Sequence, residues 1–210
     1  DPLALKPGPE PGSEPAPAAH ALPDALRNWQ VYEIDGQVAE ALNAIADCPH
    51  PTLAMIHGAC VGGGLEIAGA CDLRLCSEAS RFGAPINRLG FSMYRGEMEG
   101  LLRLVGAAVL KEILLEGRIM GAREAYEKGL VNRVLPDAQL ADEVAATARR
   151  IAAGAPLVAG WHKQWIRRLE NGQPLSDAEK AASFAFLETE DYREGLAAFL
   201  EKRKPQFKAR

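Results

Sequence analysis

His57-Gly58-Ala59-Cys60-Val61-Gly62-Gly63-Gly64-Leu65-Glu66, closed by Cys71-Asp72, is the stretch on which the reading of this 210-residue chain turns. Before it, Pro51 to Ile56 is a short apolar run of the kind that forms a buried strand. After it, Leu65 to Ala70 is short, apolar and free of breakers, which predicts a buried helix. Three consecutive glycines between strand and helix leave backbone N–H groups bare, with no Cβ to hold a ligand away. The start of a helix adds orphan donors and a partial positive charge. Such a turn binds a phosphate, or the oxyanion that develops on a carbonyl during acyl chemistry. Glu66 stands one helical turn past Gly63, where its carboxylate can share that space.

Other glycine turns are tested against the same residues. A P-loop needs a lysine and a hydroxyl after its last glycine, but Gly58 and Gly63 lead into Gly64 and Leu65. The dinucleotide fingerprint fails because Gly62 and Gly64 are followed by Ile67. Gly58-Ala59-Cys60-Val61-Gly62 does fit a nucleophile elbow in thiol form. Such a thiol hydrolase would draw on His162, the only histidine downstream. The competing reading makes Cys60 a small buried hydrophobe, as free cysteines commonly are.

Composition sets the frame. With 48% hydrophobic residues the chain can bury one good core, so a single domain is expected. A net charge of −4 argues against a general nucleic-acid surface. Cys48, Cys60, Cys71 and Cys76 show no metal-ligand spacing, which predicts reduced thiols, no metal site and a cytoplasmic protein. No run approaches the ~18 apolar residues of a membrane span, and no signal-peptide core is visible.

Residues 1–23 hold seven of the fourteen prolines and show no apolar periodicity, so a flexible segment is expected there. Ile34, Val38, Ala41, Leu42 and Ile45 then form one helical stripe that stops before Pro49. Leu73 to Ser77 reads as a strand, and Phe82-Gly83-Ala84-Pro85 as the start of a loop. Helices are expected over Glu97 to Val105, Ala108 to Glu116, Leu140 to Ala153, Trp161 to Leu169, Asp177 to Glu190 and Tyr192 to Lys202. Trp161, Trp165 and Leu169 look like a packing stripe. The outcome is an α/β core over 24–153 with a C-terminal helical region over 154–210.

From Pro49 to Arg133 the chain resembles the crotonase family, the enoyl-CoA hydratases and isomerases. The resemblance rests on Pro51 to Gly58, Gly62-Gly63-Gly64-Leu65-Glu66, Ala70-Cys71-Asp72-Leu73-Arg74, Phe82-Gly83-Ala84-Pro85 with Leu89-Gly90, and Gly129-Leu130-Val131. It returns in the tail through Thr189-Glu190-Asp191, Glu194-Gly195, Ala198-Phe199 and Glu201 to Phe207. It implies a ββα spiral core and a C-terminal oligomerisation region that builds trimers or hexamers. It also implies N-terminal strands and a second glycine-alanine-aspartate turn, which nothing before Asp47 resembles. A missing segment at that end, rather than a shortened variant of the fold, is therefore expected.

The resemblance assigns chemistry residue by residue. Gly63 N–H falls at an oxyanion-hole position and Glu66 at the first catalytic glutamate, with Gly58, Gly62 and Gly64 forming the substrate turn. The alternative for Glu66 is a buried salt bridge, perhaps with Arg74. The family's second glutamate would stand at Ile86, so that carboxylate is absent from its usual place. Glu97 and Glu99, beside Tyr94, are the candidate substitutes, although each could instead be a favourable charge at a helix start. Asp72 is expected to fasten a strand end. Lys202 and Lys204, with Arg203, Lys208 and Arg210, could meet the phosphates of coenzyme A, against the plainer reading of a solvated basic tail.

The expected activity is thus hydratase-like, with an acyl-CoA thioester as substrate and no cofactor beyond the coenzyme A it carries. A one-base enoyl-CoA isomerase and a non-catalytic acyl-CoA-binding homologue remain as alternatives.

Overall fold

The structure, a computed structural model, describes residues 36–90, 92–170 and 172–210. The flexible segment expected over 1–23 lies outside them. Residues 36–46 form helix α1, which carries most of the apolar stripe and ends ahead of Pro49, where proline cannot continue a helix.

Strands β1 (Leu53–Ile56) and β2 (Ala59–Val61) lead into α2 (Gly63–Ala70), then β3 (Leu73–Ser77) and β4 (Arg81–Gly83). Parallel strands need a crossover of about a dozen residues or more. The stretch between Ile56 and Leu73 supplies it, so β1 and β3 pair in parallel with Leu53 opposite Leu73 and Ile56 opposite Cys76. Strand β6 (Arg133–Leu135) completes this sheet in the order β1-β3-β6. A second small sheet runs β2-β4-β5, where β5 is Met120–Gly121 and pairs antiparallel with β4.

The loop expected from Phe82 is instead β4 followed by a 3₁₀ turn over Pro85–Leu89. The reason is tertiary. Cys60 pairs with Phe82, and Arg81 N–H donates to the Gly58 carbonyl at 2.8 Å. A three-residue strand is too short to show a period of two in sequence.

Helix α3 (Arg95–Glu116) joins the two helices expected on either side of Gly106. Gly106 takes φ 73° and ψ 168°, which breaks the helix without ending it and is open chiefly to glycine. α4 (Ala122–Glu127), α5 (Asp137–Ala152), α6 (Pro156–Glu170), α7 (Asp177–Ala182) and α8 (Glu190–Leu200) follow. The single helix expected over Asp177 to Glu190 stops at Ala182. A 3₁₀ turn over Ala185–Glu188 intervenes, and Thr189 caps α8 by accepting the Tyr192 N–H at 3.0 Å.

Leu65, Phe82, Leu101, Ile113, Met120 and Leu130 form the centre of the core, each at most 1% exposed. Leu65 comes from α2, and Leu101 and Ile113 from α3. Thus α2, which carries the glycine turn, is held between the sheets and α3. Helix α6 is tied to the segments on either side of the glycine turn by two ion pairs, Lys163 with Asp72 and Arg167 with Asp47. Among the described residues no helix is long and apolar enough to cross a membrane.

Candidate active site

The glycine turn is built by backbone constraints that only glycine meets. Gly62 sits at φ 53° and ψ −128°, a region essentially closed to residues with a Cβ. Its N–H donates to Gly83 O at 3.1 Å, which fixes the turn on β4. Its carbonyl accepts the N–H groups of Leu65 and Glu66, at 2.8 and 3.2 Å, and so starts α2. The N–H groups of Gly63 and Gly64 have no acceptor among the described residues, as expected for the first donors of a helix. A Cβ placed on Gly62 or Gly64 would meet nothing within 4 Å. On Gly63 it would meet only Glu66 Oε2, at 4.0 Å. The carboxylate therefore folds back beside the bare donors.

Cys60 lies beneath this turn, 5% exposed, and its thiol donates to Gly64 O at 3.3 Å. Burial pushes the thiol up to about 11. A nucleophilic cysteine needs an accessible, stabilised thiolate, so the thiol-hydrolase reading is overturned. His162 lines a cavity on α6 and is not joined to Cys60.

Glu66 is 9% exposed and forms no ion pair among the described residues. The salt bridge weighed for it with Arg74 is not made. Arg74 instead donates to the carbonyls of Leu130 at 2.9 Å, Cys71 at 2.5 Å and Ala68 at 3.3 Å. Two of these carbonyls lie at the C-terminal end of α2, where a cation satisfies orphan acceptors and the helix dipole. Left without a cation, the Glu66 carboxyl is raised to about 7, first by burial and then by the charge of Glu97.

Glu97 belongs to the first turn of α3. Its Oε2 accepts the Tyr94 N–H at 3.0 Å, which holds the side chain at the helix N-terminus, where negative charge is favoured. A carboxylate has about four lone-pair sites, and this bond occupies one. Glu99 pairs with Arg103 at 3.0 Å on the exposed side. All three glutamates border one open cavity of about 480 Å³, lined by α1, α2, the start of α3 and α6. Ile86, where the resemblance implies the second glutamate, packs half-buried against the core.

Asp72 fastens a strand end as expected: Thr52, just ahead of β1, donates its N–H and Oγ1–H to Asp72 Oδ2 at 2.7 and 2.9 Å, and Lys163 pairs with the same oxygen at 2.9 Å. Lys202 and Lys204 are not part of the cavity. They lie past α8, exposed and without ion pairs among the described residues. The basic tail is nonetheless built. Arg203 pairs with Glu194 and Glu201, and Asp191 accepts the N–H groups of Lys208 and Ala209 at 2.7 and 3.0 Å.

Sequence reasoning missed the cavity wall on α6. It reads Trp161, Trp165 and Leu169 as a packing stripe and singles out no site on this helix beyond His162, whereas His162, Lys163, Ile166 and Arg167 face the cavity. Their spacing of i, i+1, i+4 and i+5 was the available signal.

The family model described as enoyl-CoA hydratase/isomerase matches residues 25–210. A mitochondrial Delta(3,5)-Delta(2,4)-dienoyl-CoA isomerase of Dictyostelium discoideum is 33% identical over 186 residues, covering 87% of this chain and 60% of that protein. A probable enoyl-CoA hydratase of Rhizobium meliloti is 36% identical over 205 residues, covering 95% and 79%. Among solved structures, an enoyl-CoA hydratase/carnithine racemase from Magnetospirillum magneticum is 49% identical, with a TM-score of 0.83 over 88% of this chain and 68% of that one. The α/β core described above is therefore the crotonase fold. The chain spans 60% of the Dictyostelium isomerase and 79% of the Rhizobium hydratase.

Proposed function

We propose, for a chain that belongs to the enoyl-CoA hydratase/isomerase family, that it adds water across the double bond of a 2-enoyl-CoA thioester. The observation that carries this reading is the grouping of Gly63, Glu66 and Glu97. Adding or removing a proton beside a thioester carbonyl produces an enolate, whose charge needs fixed donors. Gly63 N–H is such a donor, bare and at the positive end of a helix. Glu66, raised to about 7, is populated in both protonation states near neutral pH, which suits proton transfer. Glu97, held by the Tyr94 N–H, places a second carboxyl group on the same cavity. Two carboxyl groups on one cavity can divide hydration between them. Glu97 orients and deprotonates water, and Glu66 delivers the proton to carbon.

Coenzyme A enters as part of the substrate. Lys202 and Lys204 would meet its phosphates in an assembled trimer, whose contacts the exposed Phe184, Leu196, Phe199 and Leu200 would supply.

A second reading is favoured by one specific bond. If the Tyr94 N–H makes Glu97 only a helix cap, Glu66 acts alone and the reaction is a double-bond shift. Ultraviolet absorbance of the conjugated double bond separates the two. Loss of absorbance from 2-enoyl-CoA supports hydration, and gain of absorbance from 3-enoyl-CoA supports isomerisation. Calorimetric binding without either change would leave an acyl-CoA-binding homologue, and no binding at millimolar ligand would remove the whole reading.

A further inference from the structure

The cavity beside Glu66 is longer than the chemistry needs. Its lining runs from Glu66, in the first turn of α2, to Cys71 and Asp72 just past the end of that helix. At 1.5 Å per residue this is about 9 Å along the helix axis. The volume, about 480 Å³, lies within the usual range for ligand pockets. At about 30 Å³ for each water-sized group, it has room for on the order of ten methylenes with space to spare.

α2 and α3 approach closely where Gly69 faces Leu101, and a Cβ on Gly69 would come within 2.9 Å of Leu101 Cδ2. One residue earlier on α3, Gly100 lines the cavity and is half-buried, yet a Cβ there would meet nothing within 4 Å. The space in front of Gly100 is therefore cavity, and any larger side chain would project into it. Leu42, Ala46, Leu104, Ile151 and Ile166 supply apolar wall around it. The Asp72–Lys163 ion pair stands at the far end.

We infer that this cavity takes the tail of an unbranched acyl chain of medium length, running along α2 from Glu66 toward Asp72, and that Gly100 sets the length accepted. The inference rests on the acyl-CoA reading above, because it places the thioester carbonyl at Gly63. It adds the class of acyl group and a specificity-determining residue.

Gly100→Val puts a branched side chain into the space, and Gly100→Ala a single methyl. The full chain and both variants are assayed with 2-butenoyl-CoA and 2-decenoyl-CoA, and folding is followed by thermal unfolding. Wild type should handle decenoyl-CoA at least as well as butenoyl-CoA. One methylene refused by a pocket costs about 10–200-fold in kcat/KM. The decenoyl-to-butenoyl ratio of kcat/KM should therefore fall ten-fold or more in Gly100→Val and less in Gly100→Ala. An unchanged ratio in folded Gly100→Val, whether both activities fall together or neither does, overturns the role of Gly100. A wild type active only on butenoyl-CoA overturns the medium-chain assignment. A wild type active on neither thioester fails the acyl-CoA reading itself, and this inference with it.

Discussion

Glu66→Gln keeps the shape of the side chain and its hydrogen-bonding atoms but removes the titrating proton. Its carboxyl is raised from 4.5 to about 7 on folding, so the native state holds the proton more tightly than the unfolded chain does. Below pH 4.5 both states are protonated and the group is neutral in its effect. Between 4.5 and about 7 the unfolded chain has released its proton while the native state retains it, so stability falls as pH rises. Above about 7 the full cost is present. A rise of about 2.5 in pKa corresponds to at most about 3.4 kcal/mol at 1.36 kcal/mol for each. The carboxylate borders an open cavity where solvent screens it, which reduces this to on the order of 1–2 kcal/mol.

Glutamine carries no charge at any of these pH values and avoids that cost. At pH 8 the variant should therefore be more stable than wild type by about 1–2 kcal/mol, or roughly 2–8 °C in Tm for a chain of this size. At pH 4 the two should unfold together. Turnover should move the other way, falling about 10²–10⁴-fold with the loss of the proton-transfer group. Thermal and urea unfolding at both pH values, beside the absorbance assay, read the two effects. A variant no more stable than wild type at pH 8 would refute the burial argument. One with full activity would return Glu66 to a structural role.

Glu97→Gln removes the neighbouring charge. Burial is the larger cause of the raised Glu66 value, so the inflection of Glu66 should fall by about one pH unit or less, and hydration should fall 10²–10⁴-fold if Glu97 handles water. Hydration near the wild-type rate, measured by absorbance, would favour the one-base reading instead. Arg74→Met leaves the carbonyls of Leu130, Ala68 and Cys71 without their donor, which should cost about 2–4 kcal/mol in urea unfolding. Iodoacetamide should leave Cys60 unmodified at neutral pH, because its thiol is buried and raised to about 11; rapid inactivation cured by Cys60→Ala would contradict that placement.

The glycine turn was legible because its signal is local. Three glycines between an apolar strand and an apolar helix define the backbone in one window, and the observed Gly62 dihedrals are those such a run permits. Strand β3 matched its expected bounds for a related reason, since its five residues were long enough to read. Strands β4, β5 and β6 have two or three residues each, and tertiary pairing rather than local pattern makes them extended. No periodicity can appear in so few positions.

The partner of Arg74 was misread for a different reason. Sequence shows a buried acid and a buried base eight residues apart, and pairing them is the simplest way to settle both charges. It cannot show that the guanidinium lies past the end of α2, within reach of Ala68 and Cys71 carbonyls, while the carboxylate folds toward the other end of the same helix. An eight-residue helix keeps these ends about 12 Å apart. That separation has a functional consequence. Because carbonyls already meet the donors of Arg74, no cation neutralises Glu66, and burial with Glu97 can raise its carboxyl to about 7. The same arginine that anchors the helix thus leaves the acid at its other end free to exchange a proton.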